Sequence, residues 1–412
     1  MMTKTGAKKT RGGALIGQGN SACVFAPSLP CEEDPPGEAP IPRTVSKVFR
    51  NDGARNREYE KARIIARIDP DGMFLTPPVR SCHVHMPSLR AQAPEHAGCR
   101  TLSNHKRRRG QIVYSNKGAF SLEEYHLSGN YRMFTLESVV RYLQIAMGIS
   151  AMHENEHQNL CHYDVAPKNI IVLSKNRSVL TDFGSTKFMS DVFFEYDEDR
   201  KRDQVSALVK HVYEFHPPEF VLVEYYARAK GYDLPPSRGA SRGGGLDKID
   251  SFAWSRRYPQ FERSLPHLGT SEAEFVDQVK AFATEFAKHW NKDHATMKKY
   301  LNRRASKVDV FMLGVTMMFG MNVSKDAADP VERYIRTKLL TIVRRCLHGN
   351  PSRRCTISQV VNALSRLKTD VLYRVKRAQH TASKTPRTAR AILPSSRATP
   401  SSSRASGRRT NG

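Results

Sequence analysis

Acid is missing from both ends of this 412-residue chain. Met1–Arg11 holds four Lys or Arg and Arg374–Gly412 holds ten, and neither stretch contains an Asp or Glu. The termini therefore carry more than half of the +26 net charge, leaving +12 for the chain between them. Such ends predict weak contact with nucleic acid or another acidic partner, or a nuclear-import address; a solvated tail that binds nothing specific is the bland alternative. Long apolar runs are missing too. The opening MMTKTGAKKTRGG has no apolar centre, which argues against a secretory signal. The longest strongly apolar run, Val310–Met321, is 12 residues, too short to cross a bilayer. Cysteines at short, regular spacing are absent as well: there are seven, an odd number, scattered along the chain. That pattern predicts a reducing compartment rather than a disulfide scaffold. Together these absences predict a soluble intracellular protein with no membrane partner.

What is present divides into segments. Ala14–Val48 reads as strands broken by turns, with a Pro/Glu-rich loop at Ala26–Arg43. Arg55–Ile68 reads as a helix ended by Asp69-Pro70. Gln111–Tyr114 is a short β run, and Leu136–His153 carries the 3.6-residue apolar period of a buried helix. Ile170–Leu173 and Ser178–Thr181 read as two short strands around a turn. GYDLPPSRGASRGGG, Gly231–Gly245, is a flexible break. Ser271–Tyr300, Val308–Gly320, Val331–His348 and Ile357–Leu367 read as helices, and the chain after Leu372 as disordered.

The informative chemistry lies in CHYDVAPKN, Cys161–Asn169, and in LTDFG, Leu180–Gly184. Asp164, Lys168 and Asn169 sit within six residues, and Asp182 follows Asn169 by thirteen, across the two short strands. Phosphoryl transfer from a nucleotide needs positioning and charge compensation more than covalent chemistry. A carboxylate must orient and deprotonate the attacking hydroxyl, and hard oxygen ligands must hold Mg²⁺. Asp164 suits the first role. A hairpin bringing Asn169 and Asp182 to one point suits the second.

These residues resemble the eukaryotic-type protein kinase superfamily. His162–Asn169 is similar to its catalytic loop and Asp182-Phe183-Gly184 to its metal-binding triplet. The resemblance implies further roles in the expected order. Gly17-Gln18-Gly19-Asn20-Ser21-Ala22-Cys23-Val24 resembles the glycine-rich lid over ATP, with Ala22 in place of the third glycine. Lys47 resembles the strand lysine that pairs with phosphates, and Glu60 is chosen as the carboxylate that orients it, with Glu58 as the alternative. Val113–Gly118 resembles the adenine-binding hinge, with Tyr114, Ser115 and Asn116 presenting backbone groups. His216-Pro217-Pro218-Glu219, Asp309 and Arg354 resemble the large-lobe motifs that separate protein kinases from small-molecule kinases. The small lobe, in GQGNSACVFAPSLPC, VSKVF and ARIDPDGMF, is similar to kinases of nucleocytoplasmic large DNA viruses. This implies action in the cytoplasm or nucleus of an infected host cell.

The implied architecture is α+β and bilobal. A small antiparallel sheet lobe with one helix (14–117) precedes a larger, mainly helical lobe (118–368), with basic disordered ends at 1–13 and 374–412. About ninety residues separate Glu219 from Asp309 where the family has around a dozen. That predicts an insertion at about 221–305, serving either substrate or partner docking or nothing beyond a surface excursion. Tyr163 stands where most of the family has an Arg that reads a phosphate, which predicts activity without activation-segment phosphorylation. Ala166 replaces a phosphate-neutralising lysine, a role that Lys168 can fill, as in tyrosine kinases.

Lesser signals are a C-x-x-H…H-x-x-C spacing at Cys82, His85, His96 and Cys99, suggestive of zinc, and the basic run His105–Arg109. Thr385-Pro386 and Thr399-Pro400 suit proline-directed phosphorylation. The expected activity is ATP- and Mg²⁺-dependent phosphorylation of Ser/Thr in protein substrates. The predicted catalytic residues are Asp164 and Lys168, the metal ligands Asn169 and Asp182, and the nucleotide contacts Gly17, Gly19, Val24, Lys47, Glu60, Tyr114 and Asn116. A kinase-shaped scaffold without catalysis is the alternative.

Overall fold

The computed structural model describes residues 14–18, 22–34, 44–49, 52–85, 99, 109–116, 120–128, 132–155, 159–197, 202–206, 216–230, 269–290, 292–324, 327 and 329–384. It is a mixed α+β structure with small antiparallel sheets. The largest sheet has the order β1-β2-β3-β5-β4. Its strands are β1 (Ala14–Gln18), β2 (Ala22–Ala26), β3 (Thr44–Phe49), β4 (Arg80–His85) and β5 (Arg109–Asn116). Each neighbouring pair is antiparallel. The register places Val24 opposite Lys47, and Lys47 opposite Val113. One helix, α1 (Asp52–Ile68), connects β3 to the loop before β4. It turns Glu58, Ala62, Ile65 and Asp69 into the protein, a stripe at i, i+4, i+7 and i+11.

Two disulfides, Cys23–Cys99 and Cys31–Cys82, correct the thiol expectation for four of the seven cysteines. The partners are 76 and 51 residues apart, one of each pair on a strand (Cys23 on β2, Cys82 on β4), a closeness that short-range spacing could not reveal. With Phe25, Leu29, Val48 and Val84 they form a small separate core. The zinc spacing is overturned by the same finding, because Cys82 and Cys99 are bonded to other cysteines. His96 lies outside the described residues, as do residues 105–108 of the basic run.

Below the sheet lies a helical body with one continuous core. β6 (Phe120–Ser121) leads into α2 (Leu122–Leu127). A reciprocal cap starts that helix: Glu124 N donates to Ser121 Oγ at 3.2 Å, and Ser121 N donates to Glu124 Oε2 at 2.6 Å. α3 (Leu136–His153) has the predicted bounds and is capped by Thr135. After it come β7 (Leu160–Cys161) and the hairpin of β8 (Ile170–Ser174) and β9 (Arg177–Leu180). β10 (Lys187–Phe188) pairs with β7, and β11 (Phe194–Asp197) with β12 (Arg202–Val205).

The remaining helices are α4 (Pro218–Ala229), α5 (Glu272–Trp290), α6 (His294–Asn302), α7 (Ser306–Val323), α8 (Pro330–Cys346) and α9 (Ile357–Lys384). The expected insertion, 221–305, begins inside α4. Its helices α5 and α6 are part of the main core through Phe275, Val279, Phe282, Phe286, Met297 and Leu301. Burying a phenylalanine side chain is worth roughly 1.5–3 kcal/mol, so this stretch contributes to stability and is no surface excursion. Residues 231–268 lie outside the described part. The disorder expected from Arg374 is corrected as far as Lys384, where α9 ends. Residues 1–13 and 385–412, including both Thr-Pro dipeptides, lie outside the described residues. Among the described residues, no helix is long and apolar enough to cross a membrane.

Candidate functional site

Two groups of side chains, joined through backbone hydrogen bonds, lie on the strands and loops around Lys47 and Asp164. The first is built on Lys47 at the centre of β3. Its Nζ donates to Glu58 Oε2 and to Asp182 Oδ1, each at 2.7 Å. Glu58, not Glu60, is therefore the partner from α1, which corrects the sequence choice. The inward stripe of α1 runs through Glu58 and Ala62, whereas Glu60 is exposed. Desolvation alone would lower the Lys47 ammonium, but the Asp182 and Glu58 charges outweigh it and raise Lys47 above its ordinary range. Burial pushes Glu58 up against the pull of Lys47. Desolvation would also raise Asp182, yet Lys47 holds it below its ordinary value. Asp182 has φ 63°, ψ 72°, a left-handed backbone that turns the chain sharply after β9. A Cβ on Gly184 would lie 3.2 Å from Glu58 Oε2 and 3.4 Å from Asp182 Oδ1, so a methyl there would press these carboxylates aside by a few tenths of an ångström.

The second group lies on the loop after β7. Asn169 Nδ2 donates to the Asp164 carbonyl at 2.8 Å, and Lys168 Nζ lies 3.6 Å from Asp164 Oδ2. The two groups are joined through backbone: Thr181 N donates to the Asn169 carbonyl at 2.9 Å, and His162 Nε2 lies 3.0 Å from the Thr181 carbonyl. The β8–β9 register, with Ile170 opposite Leu180, places Asn169 and Asp182 at the same open end of the hairpin. Asn169 has its amide nitrogen committed to Asp164, which leaves Oδ1 as its ligand atom. That oxygen and the anionic Asp182 carboxylate are hard donors, the ligand type that a divalent cation such as Mg²⁺ takes.

Asp309, at the start of α7, fixes the loop from behind. Its carboxylate accepts from His162 N at 2.8 Å and Tyr163 N at 2.9 Å, and lies 2.9 Å from His153 Nε2. This steers Tyr163 into φ 62° and buries its ring edge-on to Phe220. Farther along, Arg354 makes a bidentate pair with Glu219, at 2.7 and 3.0 Å.

Neither a family model nor a curated protein matches the chain.

Of the sequence-predicted residues, the structure brings together Lys47 with Asp182, and Asp164 with Lys168 and Asn169. Val24 is the cross-strand neighbour of Lys47, and Gly17 pairs with Val24 in the β1–β2 hairpin. Tyr114 and Asn116 lie on β5, opposite Ser46 and Thr44. Gly19 and the hinge residues 117–118 lie outside the described part. Sequence reasoning missed the work of Asp69, read only as a helix end. Its carboxylate accepts from the backbone N–H groups of Met73, Phe74 and Leu75 at 2.7–3.0 Å. The signal was present, because an Asp at a helix end before Pro and Gly is a turn former.

Proposed function

We propose that the chain is an ATP- and Mg²⁺-dependent protein kinase acting on Ser/Thr hydroxyls, with the sheet and helical body as the two lobes of a protein-kinase-like fold. One observation carries the reading. A strand lysine is held by a carboxylate from the only helix described in the sheet region and by Asp182 of DFG, 135 residues away along the chain. That arrangement sets a cation beside the Asp182 carboxylate, with Asn169 and Asp164 on the adjoining loop, tied to it through Thr181 N on the Asn169 carbonyl. Bound at Asn169 and Asp182, Mg²⁺ would neutralise phosphate charge. Lys47 would orient the phosphates, with Gly17 and Val24 above them. Asp164 would orient the acceptor hydroxyl and take its proton, and Lys168 would supply positive charge next to that base. Read with the viral resemblance, the substrates are proteins of an infected cell.

The test is incubation of the purified protein with labelled ATP and a peptide library, followed by phosphoamino-acid analysis. Phosphoserine or phosphothreonine is expected. Asp164→Asn should lower turnover by on the order of 10²–10⁴-fold while leaving thermal unfolding unchanged. Phosphotyrosine alone would overturn the Ser/Thr assignment. A thermal shift with Mg·ATP but no label transfer would identify a catalytically inactive scaffold instead.

A further inference from the structure

The described parts of the segment from Asp182 to Glu219, residues 182–197, 202–206 and 216–219, are held by more than their own turns. Phe193 and Phe194 are fully buried. Phe193 packs on Phe220 of α4, with ring centroids 5.3 Å apart, and Phe194 on Tyr226 of the same helix at 6.3 Å. Lys187 of β10 pairs with Glu195 of β11. The most specific fastening comes from α6, inside the stretch that the sequence presents as an insertion. Both carboxylate oxygens of Asp203 on β12 are engaged by that helix: Oδ2 lies 2.9 Å from His294 Nε2, and Oδ1 accepts from Lys298 Nζ at 2.7 Å. The His294 ring also meets Phe194 edge-on at 4.7 Å. One turn farther, Asn302 Nδ2 donates to the Ser190 carbonyl at 3.0 Å. The helix is itself fixed. Asp293 caps its first turn by accepting from Thr296 N at 2.9 Å, and Met297, Tyr300 and Leu301 are buried in the main core.

Two further facts give this clamp a meaning. Tyr163, at the loop position next to Asp164, is uncharged and buried against Phe220, so it offers no cation to a phosphate on the segment. Lys187, Lys298 and His294 already face carboxylates that belong to the segment itself.

We propose that α6 is a positioning element for phosphoryl transfer. Through His294 and Lys298 on Asp203 it holds the β11–β12 hairpin in its working arrangement, with Asp203 and Glu195 serving where an added phosphate would otherwise supply the negative charge. The proposal rests on the kinase reading above. It makes the extra stretch after α4 an internal brace of the catalytic lobe and names His294, Lys298 and Asn302 as positioning residues.

The test uses the full chain and two independent readouts. In the His294→Ala/Lys298→Ala double variant, hydrogen exchange of peptides covering 194–205 should quicken, while exchange in α3 stays unchanged. In the same variant kcat for a peptide substrate should fall about tenfold, the equivalent of a single strong charge contact, with KM for ATP little altered. The charge-exchanged pair Asp203→Lys/Lys298→Asp should recover part of that kcat, which a packing defect alone would not allow. Phosphatase-treated wild type should keep its activity. Unchanged exchange at 194–205, no recovery on charge exchange, or loss of wild-type activity on dephosphorylation would each overturn the clamp. If the wild type transfers no phosphate while exchange responds as expected, the kinase reading is what fails, and the positioning role with it.

Discussion

Lys47 and Arg354 are both cations held by carboxylates far away in sequence, and their surroundings differ in one respect. Arg354 and Glu219 have fully buried side chains. Every remaining guanidinium donor direction is also used: Nε and Nη2 reach the His348 carbonyl at 3.2 and 3.0 Å, and Nη1 the Lys307 carbonyl at 2.9 Å. The Phe311 ring, 4.8 Å from Cζ, closes one face. Around Lys47 the Asp182 side chain is 40% exposed, while Glu58 is 5% exposed. A sealed pair with all donors spent can only hold structure together. A pair closed behind and open in front keeps one partner accessible for something that arrives from solvent. The contrast separates a structural tie from a candidate site.

That contrast can be broken or sharpened by measurement. The largest effect is expected at the sealed pair: Arg354→Met should cost about 3–5 kcal/mol in urea unfolding, since it strands a buried Glu219. A loss below about 1 kcal/mol would show that the pair is not sealed. Next come the disulfides. Their reduction should destabilise the sheet region by about 2–4 kcal/mol, seen as faster hydrogen exchange in β2 and β4 with α3 and α7 unchanged. Gly184→Ala should cost only about 1 kcal/mol but depress turnover more sharply, because the added methyl crowds the Glu58 and Asp182 carboxylates.

Acid titration should act on the open site with two opposing signs. Asp182, held below its ordinary value of 3.8, stabilises the fold above that value, and the contribution is lost as pH falls through its lower folded value. Glu58, raised above 4.5, works in the opposite sense, with stability declining as pH rises from 4.5 towards its folded value. Glu58→Gln should therefore flatten the rising-pH loss and leave the acid limb, which unfolding curves between pH 3 and pH 7 would show. The smallest effect belongs to Glu60→Gln, within about 0.5 kcal/mol and without change in turnover, because that side chain is exposed.

Much of the helical body was legible because its signals are local. Leu136–His153 carries a full apolar period, and the runs expected as strands at Ile170–Leu173 and Ser178–Thr181 form β8 and β9 to within one residue. Asp164, Lys168 and Asn169 are close in sequence, and one hairpin, β8–β9, is enough to bring the chain from Asn169 back to Asp182. Failures occur where the deciding contact is distant or weakly marked. Choosing Glu60 over Glu58 depended on helix phase: Ile64 and Ile68, which share a face with Glu60, are only half-buried, whereas Ala62 and Ile65, in phase with Glu58, are the fully buried pair. Each disulfide ties a strand residue, Cys23 of β2 or Cys82 of β4, to a cysteine outside the strands and more than fifty residues away, so no local pattern marks it. α9 continues past Leu372 with Leu372, Tyr373 and most residues from there to His380 exposed, so no apolar stripe announces it. The packing of α5 and α6 was hidden by the Gly/Pro/Arg break before them, which reads as an excursion although Phe275, Phe282 and Phe286 return to the core.

The triple hydrogen bond to Asp69 has a mechanical corollary. The turn it folds hands Phe74 and Thr76 to β9: Leu180 N donates to the Phe74 carbonyl at 2.8 Å, and Thr76 N to the Leu180 carbonyl at 2.9 Å. The far end of α1 is thus pegged to the strand that delivers Asp182, while Glu58, three turns back along the same rod, grips Lys47. A rod fastened at one end and loaded at the other is a lever, and Asp69 is the rivet of its fulcrum. Cutting that rivet with Asp69→Ala would loosen the grip on Lys47 without touching a single atom of it.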